Sequence, residues 1–145
     1  MNQKNAAQVP TRTSDFRLLL SSTPRGARLA RMLAVEWLRE GELPYATAEA
    51  AAQVVAELAA NAVTHGRVGG RDFRLVLRRS ATVLRIEVTD TRADALPRLR
   101  PASPDGGGGG GRGLVLVEAL ADRWGVGLGP VPQKTVWAEL ALPHP

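Results

Sequence analysis

The stretch VVAELAANAVTH, Val54 to His65, decides how the chain is read. It closes a segment, about 46–65, in which Ala51, Val54, Val55, Leu58 and Ala62 recur at helical spacing. Gly66 ends the pattern, as glycine does at helix C-termini. Glu57, Asn61 and His65 stand at i, i+4 and i+8, so they form one narrow polar strip. With Val54 at zero and roughly 100° per residue, Asn61 falls near −20° and His65 near +20°. The strip therefore overlaps the edge of the apolar stripe instead of opposing it. Polar groups that face a core need partners or a cavity. Two readings stand at this point. One is a solvent-exposed helix edge with a single internally satisfied asparagine; the other is a polar strip turned toward a ligand.

Upstream of this helix, FRLLL (Phe16–Leu20) is a short apolar run that predicts a strand. Thr23-Pro24 supplies an N-cap and a proline at the first helical position. Ala30, Leu33, Ala34, Trp37 and Leu38 continue at helical spacing to a stop at Gly41, which predicts a helix over about 24–40. Residues 1–14 read as a disordered tail and 15–143 as one domain.

Downstream, FRLVLRR places Phe73, Leu75 and Leu77 on one face, and TVLRIEVTD does the same for Leu84, Ile86 and Val88. This alternation predicts two strands close enough to pair as a hairpin. Residues 91–112 carry Pro97, Pro101, Pro104 and the run Gly106–Gly111 without a periodic pattern, and read as a long mobile loop. A helix near Gly113 follows, with Leu114, Leu116, Val117 and Leu120. Two strand-like pieces, RWGVGL and TVWAELAL, close the chain. The order β-α-α-β-β-loop-α-β-β predicts a two-layer α/β sandwich, with helices on one face of a mostly antiparallel sheet. A glycine linker between domains fits poorly, because the roughly 34 residues after it are too few to hold a core.

The whole chain has 145 residues, 44% of them hydrophobic, which suits one domain with a real core. No apolar run approaches the roughly 18 residues of a transmembrane helix. The N-terminal MNQKNAAQVPTRTSD lacks the apolar centre of a signal peptide, so a cytoplasmic location away from membranes is expected. Zero cysteines exclude disulfides, thiolate metal sites and cysteine nucleophiles. The net charge of +5 is nearly all arginine, with only Lys4 and Lys134 as lysines. Arginine together with heavy Ala and Gly usage fits a GC-rich genome. Aromatics at 4% leave few stacking platforms, and the arginines are scattered, so a nucleic-acid partner is not expected.

Two further elements carry chemistry. Asp90 ends an apolar strand where the chain enters the long loop. It is either a turn-forming aspartate or a carboxylate that accepts a hydrogen bond from a ligand amino group. GGRGL sets a glycine loop before a helix, where backbone N–H groups and the positive end of the dipole favour an anion. It lacks the Gly-Lys-Ser/Thr of a P-loop, and it is not a dinucleotide fingerprint.

Taken in order, these elements resemble a known superfamily. ELAANAVTH (Glu57–His65) resembles the N box of the gyrase, heat-shock chaperone, histidine-kinase and mismatch-repair ATPases, which share the Bergerat ATP-binding fold. VTD ending at Asp90 resembles the aspartate of the first glycine box, GGGRGL the second glycine box, and KTVWAEL the closing strand with its adenine-side threonine. The small size and GRGLVLVEALADRWGV are similar to the anti-sigma-factor serine/threonine kinases and their actinobacterial relatives. The resemblance covers about 16–142.

It implies an ATP-binding domain whose flexible lid spans about 91–112. Asn61 would coordinate Mg²⁺, and Glu57 would be the general base. Asp90 would read the adenine amino group with Thr135 supporting it. His65 would line the site. Gly111, Arg112, Gly113 and Leu114 would form the phosphate-facing turn. The implied activity is phosphorylation of a serine or threonine on an anti-sigma-factor antagonist. The implied partners are that antagonist and a sigma factor, with the chain as a homodimer. A non-catalytic, ATP-responsive interaction module is the alternative. One departure stands out: the chain reads Asp90-Thr91-Arg92-Ala93 where the first glycine box often runs Asp-x-Gly-x-Gly.

Overall fold

The computed structural model describes residues 14–65, 71–90, 109–128 and 134–143, with only the backbone described for 65, 109–113 and 128. The elements are β1 (Ser14–Ser21), α1 (Pro24–Glu40), α2 (Tyr45–His65), β2 (Asp72–Arg79), β3 (Val83–Asp90), α3 (Gly109–Leu120), β4 (Arg123–Leu128) and β5 (Lys134–Ala141). They follow in the predicted order. The five strands form one antiparallel sheet in the order β1-β2-β3-β5-β4.

Alternation along each strand separates the two faces. Phe73, Leu75, Leu77, Leu84, Ile86, Val88, Val136, Ala138 and Leu140 are buried on one of them. They pack with Ala30, Ala34 and Leu38 of α1, with Ala51, Val54, Val55, Leu58 and Ala62 of α2, and with Leu114 and Val117 of α3. Each buried Val, Leu, Ile or Phe side chain contributes about 1.5–3 kcal/mol. The fold is the expected two-layer sandwich, and the core lies between the helices and this face. The alanines of α1 and α2 leave little side chain between helix and helix, so the two pack closely.

Helix α1 shows how local sequence fixes an element. Thr23 is its N-cap and accepts the Gly26 N–H at 3.0 Å, with Pro24 next in line. Gly26 is required by a close approach, since a Cβ there would sit 2.0 Å from the carbonyl oxygen of Ser21. The helix ends at Glu40, as the pattern predicts, but Gly41 itself keeps a right-handed conformation. The left-handed residue is Glu42, with φ 57°. Gly41 matters for a different reason: its carbonyl accepts a hydrogen bond from Arg79 Nη1, and a Cβ would lie 2.8 Å from that nitrogen.

Two predicted boundaries move. β1 begins at Ser14, inside the stretch assigned to the tail; residues 1–13 lie outside the described residues. Helix α3 begins at Gly109, not near Gly113, so Gly109 to Arg112 of the predicted lid are helical. Glycine is a poor helix former, which is why the sequence pattern starts at Leu114. Further along, α3 lies against α2, with Leu114 and Val117 in the core. The remainder of the predicted lid, 91–108, lies outside the described residues.

The other face of the sheet is polar. A chain of ion pairs crosses it from Asp15 to Arg78 (3.9 Å), Glu87 (3.5 Å), Arg85 (2.6 Å), Glu139 (2.8 Å) and Arg123 (3.5 Å). The Arg85 guanidinium lies 4.3 Å from the centre of the Trp137 ring. Burial would lower the Arg85 pKa, but hydrogen bonds and charge from Glu87 and Glu139 outweigh it and leave the pKa raised. Val76 on this face, whose register partners are Arg17 and Glu87, is only 2% exposed. One apolar face and one polar face explain why a single layer of helices suffices.

Candidate functional site

Helix α2 carries the polar strip. It packs on β2, β3 and β5 and on both other helices, which leaves little of its circumference in water. Asn61 is 5% exposed, so it does not belong to a solvated helix edge. Its Oδ1 is buried and has no hydrogen-bond partner among the described residues. An orphaned buried carbonyl oxygen costs about 1–3 kcal/mol. It is the kind of exception that points to an ion, a ligand or a water. Glu57, one turn earlier, is half-buried. His65 ends the helix, and its side chain lies outside the described residues.

Asp90 is the last residue of β3, and Lys134 the first of β5. They are Cα partners in the antiparallel register, and Lys134 Nζ lies 3.6 Å from Asp90 Oδ2. Asp90 is 4% exposed and Lys134 is fully buried. Both side chains point to the helix side, in the same alternation as Val88 and Val136. The two ends of these central strands thus bring a carboxylate and an ammonium together at the edge of the core.

Thr135 is placed differently from expectation. Consecutive strand residues face opposite ways, so Thr135 points to the polar face. There its hydroxyl meets Thr89 at 2.7 Å. It is the lysine before it that supports Asp90. Sequence reasoning missed both Lys134 and Thr89, although the signal was present. Val136, Ala138 and Leu140 are the inward residues of TVWAELAL, and counting back by two reaches Lys134.

Leu114 has a 1% exposed side chain in the core, so its side chain serves packing. Gly111, Arg112 and Gly113 fall within the first turns of α3, and their side chains lie outside the described residues. Among the described residues there is no cluster of three or more His, Asp or Glu able to hold a metal. Among the described residues, Asn61 Oδ1 is a neutral oxygen available to a hard cation. No helix among the described residues is long and apolar enough to cross a membrane.

The model of the histidine kinase-like ATPase domain family matches residues 20–137. The structure is similar to that of the RsbU and RsbW domains of Rv1364c from Mycobacterium tuberculosis. The TM-score is 0.65 at 20% identity, over 91% of this chain and 33% of that one. The likeness is one of fold, and the chain spans about a third of the length of that structure. No curated protein matches the chain in sequence.

Proposed function

Because the chain belongs to the histidine kinase-like ATPase domain family, we propose that it binds ATP between α2 and the Asp90 end of the sheet. The observation that carries this reading is the buried Oδ1 of Asn61, which has no hydrogen-bond partner among the described residues. Asn61 would hold Mg²⁺ together with phosphate oxygens and water, which suits a cation that keeps most of its own shell. Bound there, the ion would neutralise charge on the phosphates. Asp90 would accept a hydrogen bond from the exocyclic amino group of adenine. The backbone N–H groups at the start of α3 would face the phosphates, where the helix dipole favours negative charge.

The output we propose is that of an anti-sigma factor with serine/threonine kinase activity, acting in the cytoplasm as a homodimer. Glu57 would take the proton of an acceptor hydroxyl as its oxygen bonds to the γ-phosphorus and the bond to ADP breaks. Phosphoryl transfer of this kind needs mainly positioning, charge neutralisation and a base. The acceptor would be a serine or threonine of a small antagonist protein, and a sigma factor would be held when that antagonist is absent. The fold shared with the RsbW-containing structure supports this direction.

A second reading is a non-catalytic module whose partner binding responds to ATP. It is favoured by Asp90-Thr91-Arg92-Ala93, which lacks the glycines of the first box. Calorimetric titration with Mg-ATP, followed by phosphotransfer from labelled ATP to antagonist proteins encoded by neighbouring genes, separates the two. Binding with transfer supports the kinase, and binding without any transfer supports the module. Absence of binding rejects both in their nucleotide-dependent forms.

A further inference from the structure

Lysine is almost never fully buried unless it is paired, and Lys134 is 0% exposed. Its Nζ faces Asp90 Oδ2 at 3.6 Å, across a register that makes the two residues direct neighbours. That separation is longer than the roughly 2.7–2.9 Å of a charge-assisted hydrogen bond. The ammonium therefore acts on the carboxylate chiefly through charge. The register sets their Cα atoms opposite one another, Asp90 at the end of β3 and Lys134 at the start of β5.

We infer that Lys134 is a positioning residue for base recognition: it keeps the Asp90 carboxylate ionised and facing inward, so that the site selects purines bearing a 6-amino group. The inference rests on the ATP-site reading above. The chemistry is direct. An ionised carboxylate only accepts hydrogen bonds, whereas a protonated one presents an O–H donor. A buried carboxylate stripped of its cation is pushed toward the protonated, neutral form. An amino group then meets a donor where it needs an acceptor, while a purine with hydrogen at that position loses nothing. Lys134 thus tunes discrimination between bases, without itself touching the ligand.

The test is a double-mutant cycle on the full chain with Lys134→Met, Asp90→Asn and the double variant. Each is titrated with Mg-ADP and with purine riboside 5′-diphosphate, which lacks the amino group. Wild type is expected to prefer ADP by about tenfold or more. Lys134→Met should cut that preference to about twofold or less, mostly through weaker ADP binding. The double variant should match Asp90→Asn in its preference. A merely structural role for Lys134 would weaken both ligands alike, so a Lys134→Met variant that keeps the full preference overturns the proposal. If wild type binds neither ligand, the ATP-site reading fails first and the proposal falls with it.

Because Lys134→Met can unfold, a second measurement uses wild type alone. The chain has only two lysines, Lys4 and Lys134, so ¹⁵N-lysine labelling isolates the Lys134 ammonium by NMR. Its signal should move on adding ADP and move much less with purine riboside 5′-diphosphate. Equal movement with both ligands, or none with either while both bind, overturns the proposal.

Discussion

The hydroxyls of Thr89 and Thr135 meet at 2.7 Å on the polar face of the sheet, while their neighbours Asp90 and Lys134 pair on the helix side. The same two strand ends thus build a structural bond outward and a candidate recognition pair inward. Thr135→Val should lower stability by about 1 kcal/mol, because it leaves the part-buried Thr89 hydroxyl without this partner. Replacing both threonines by valine should recover much of that loss. Nucleotide affinity should stay within about threefold of wild type, since the two threonines face away from the helix side on which Asp90 and Lys134 meet. Melting curves and ADP titrations check both parts. A large affinity loss in Thr135→Val would return that residue to the adenine side.

Asn61→Ala should separate stability from function. The substitution removes a buried carbonyl oxygen that has no hydrogen-bond partner among the described residues, so stability should hold or rise by up to about 1 kcal/mol. Mg-dependent nucleotide affinity should fall by about tenfold or more, as for groups that hold a metal ligand set. Opposite movement of melting temperature and affinity is the signature of a residue kept for a ligand. A variant that melts lower and still binds Mg-ATP as tightly would mark Asn61 as a structural residue.

These two residues also show what the sequence made legible. Helical geometry placed Asn61 at the edge of the apolar stripe, and burial agrees, because spacing on one element is a local property. Period-2 alternation likewise identified the inward faces of β2 and β3. The facts that escaped are mostly relations between elements. The partnership of Asp90 with Lys134 depends on β3 and β5 lying side by side in register, and no local pattern states that. The cross-sheet run of ion pairs is mostly of this kind: its Arg85–Glu87 step lies two residues apart on β3, while the other steps join different strands and depend on their order. The start of α3 at Gly109 escaped for a local reason, glycine's low helix propensity.

Gly125 should tolerate no side chain. A Cβ there would lie 2.8 Å from the Trp137 ring, and that ring is the platform for Arg85 at 4.3 Å and Arg123 at 5.8 Å. Gly125→Ala must displace the indole or bend β4, at a cost of about 1–3 kcal/mol. Thermal melts should register the loss, and near-UV circular dichroism should report the changed tryptophan environment. An unchanged melt and spectrum would mean that β4 moves freely against β5.

Arg85 is the centre of the polar face, with Glu87 at 2.6 Å and Glu139 at 2.8 Å. Arg85→Met should cost about 1–2 kcal/mol, a discounted figure because the pair is partly exposed and Arg78 and Arg123 still reach the two glutamates. The pH dependence has a definite sign. Burial lowers the Arg85 pKa, the hydrogen bonds and charges of Glu87 and Glu139 raise it by more, and the net result is raised. A group with a raised folded pKa contributes fully below its unfolded value and loses that contribution only as pH rises through the folded one. The stability difference between wild type and Arg85→Met should therefore be flat from about pH 7 to 10. Denaturant titrations across that range check it, and a difference that shrinks within the range would show that Arg85 does not hold this charge.

Glu57→Gln tests the chemical step apart from binding. Glu57 is half-buried on α2, one turn before Asn61, and in the proposed kinase it would act on the acceptor hydroxyl and not on the nucleotide base. The amide has nearly the same shape but cannot accept a proton as a carboxylate does. Mg-ATP affinity should therefore change by less than about threefold, while phosphotransfer to the antagonist falls by about a hundredfold or more, the usual contribution of a general base. Retention of the proton-accepting carboxylate in Glu57→Asp should restore part of the rate. If Glu57→Gln keeps full transfer, the base lies elsewhere. If it loses binding and transfer together, Glu57 belongs to the nucleotide-holding set and the two-role division of α2 is wrong.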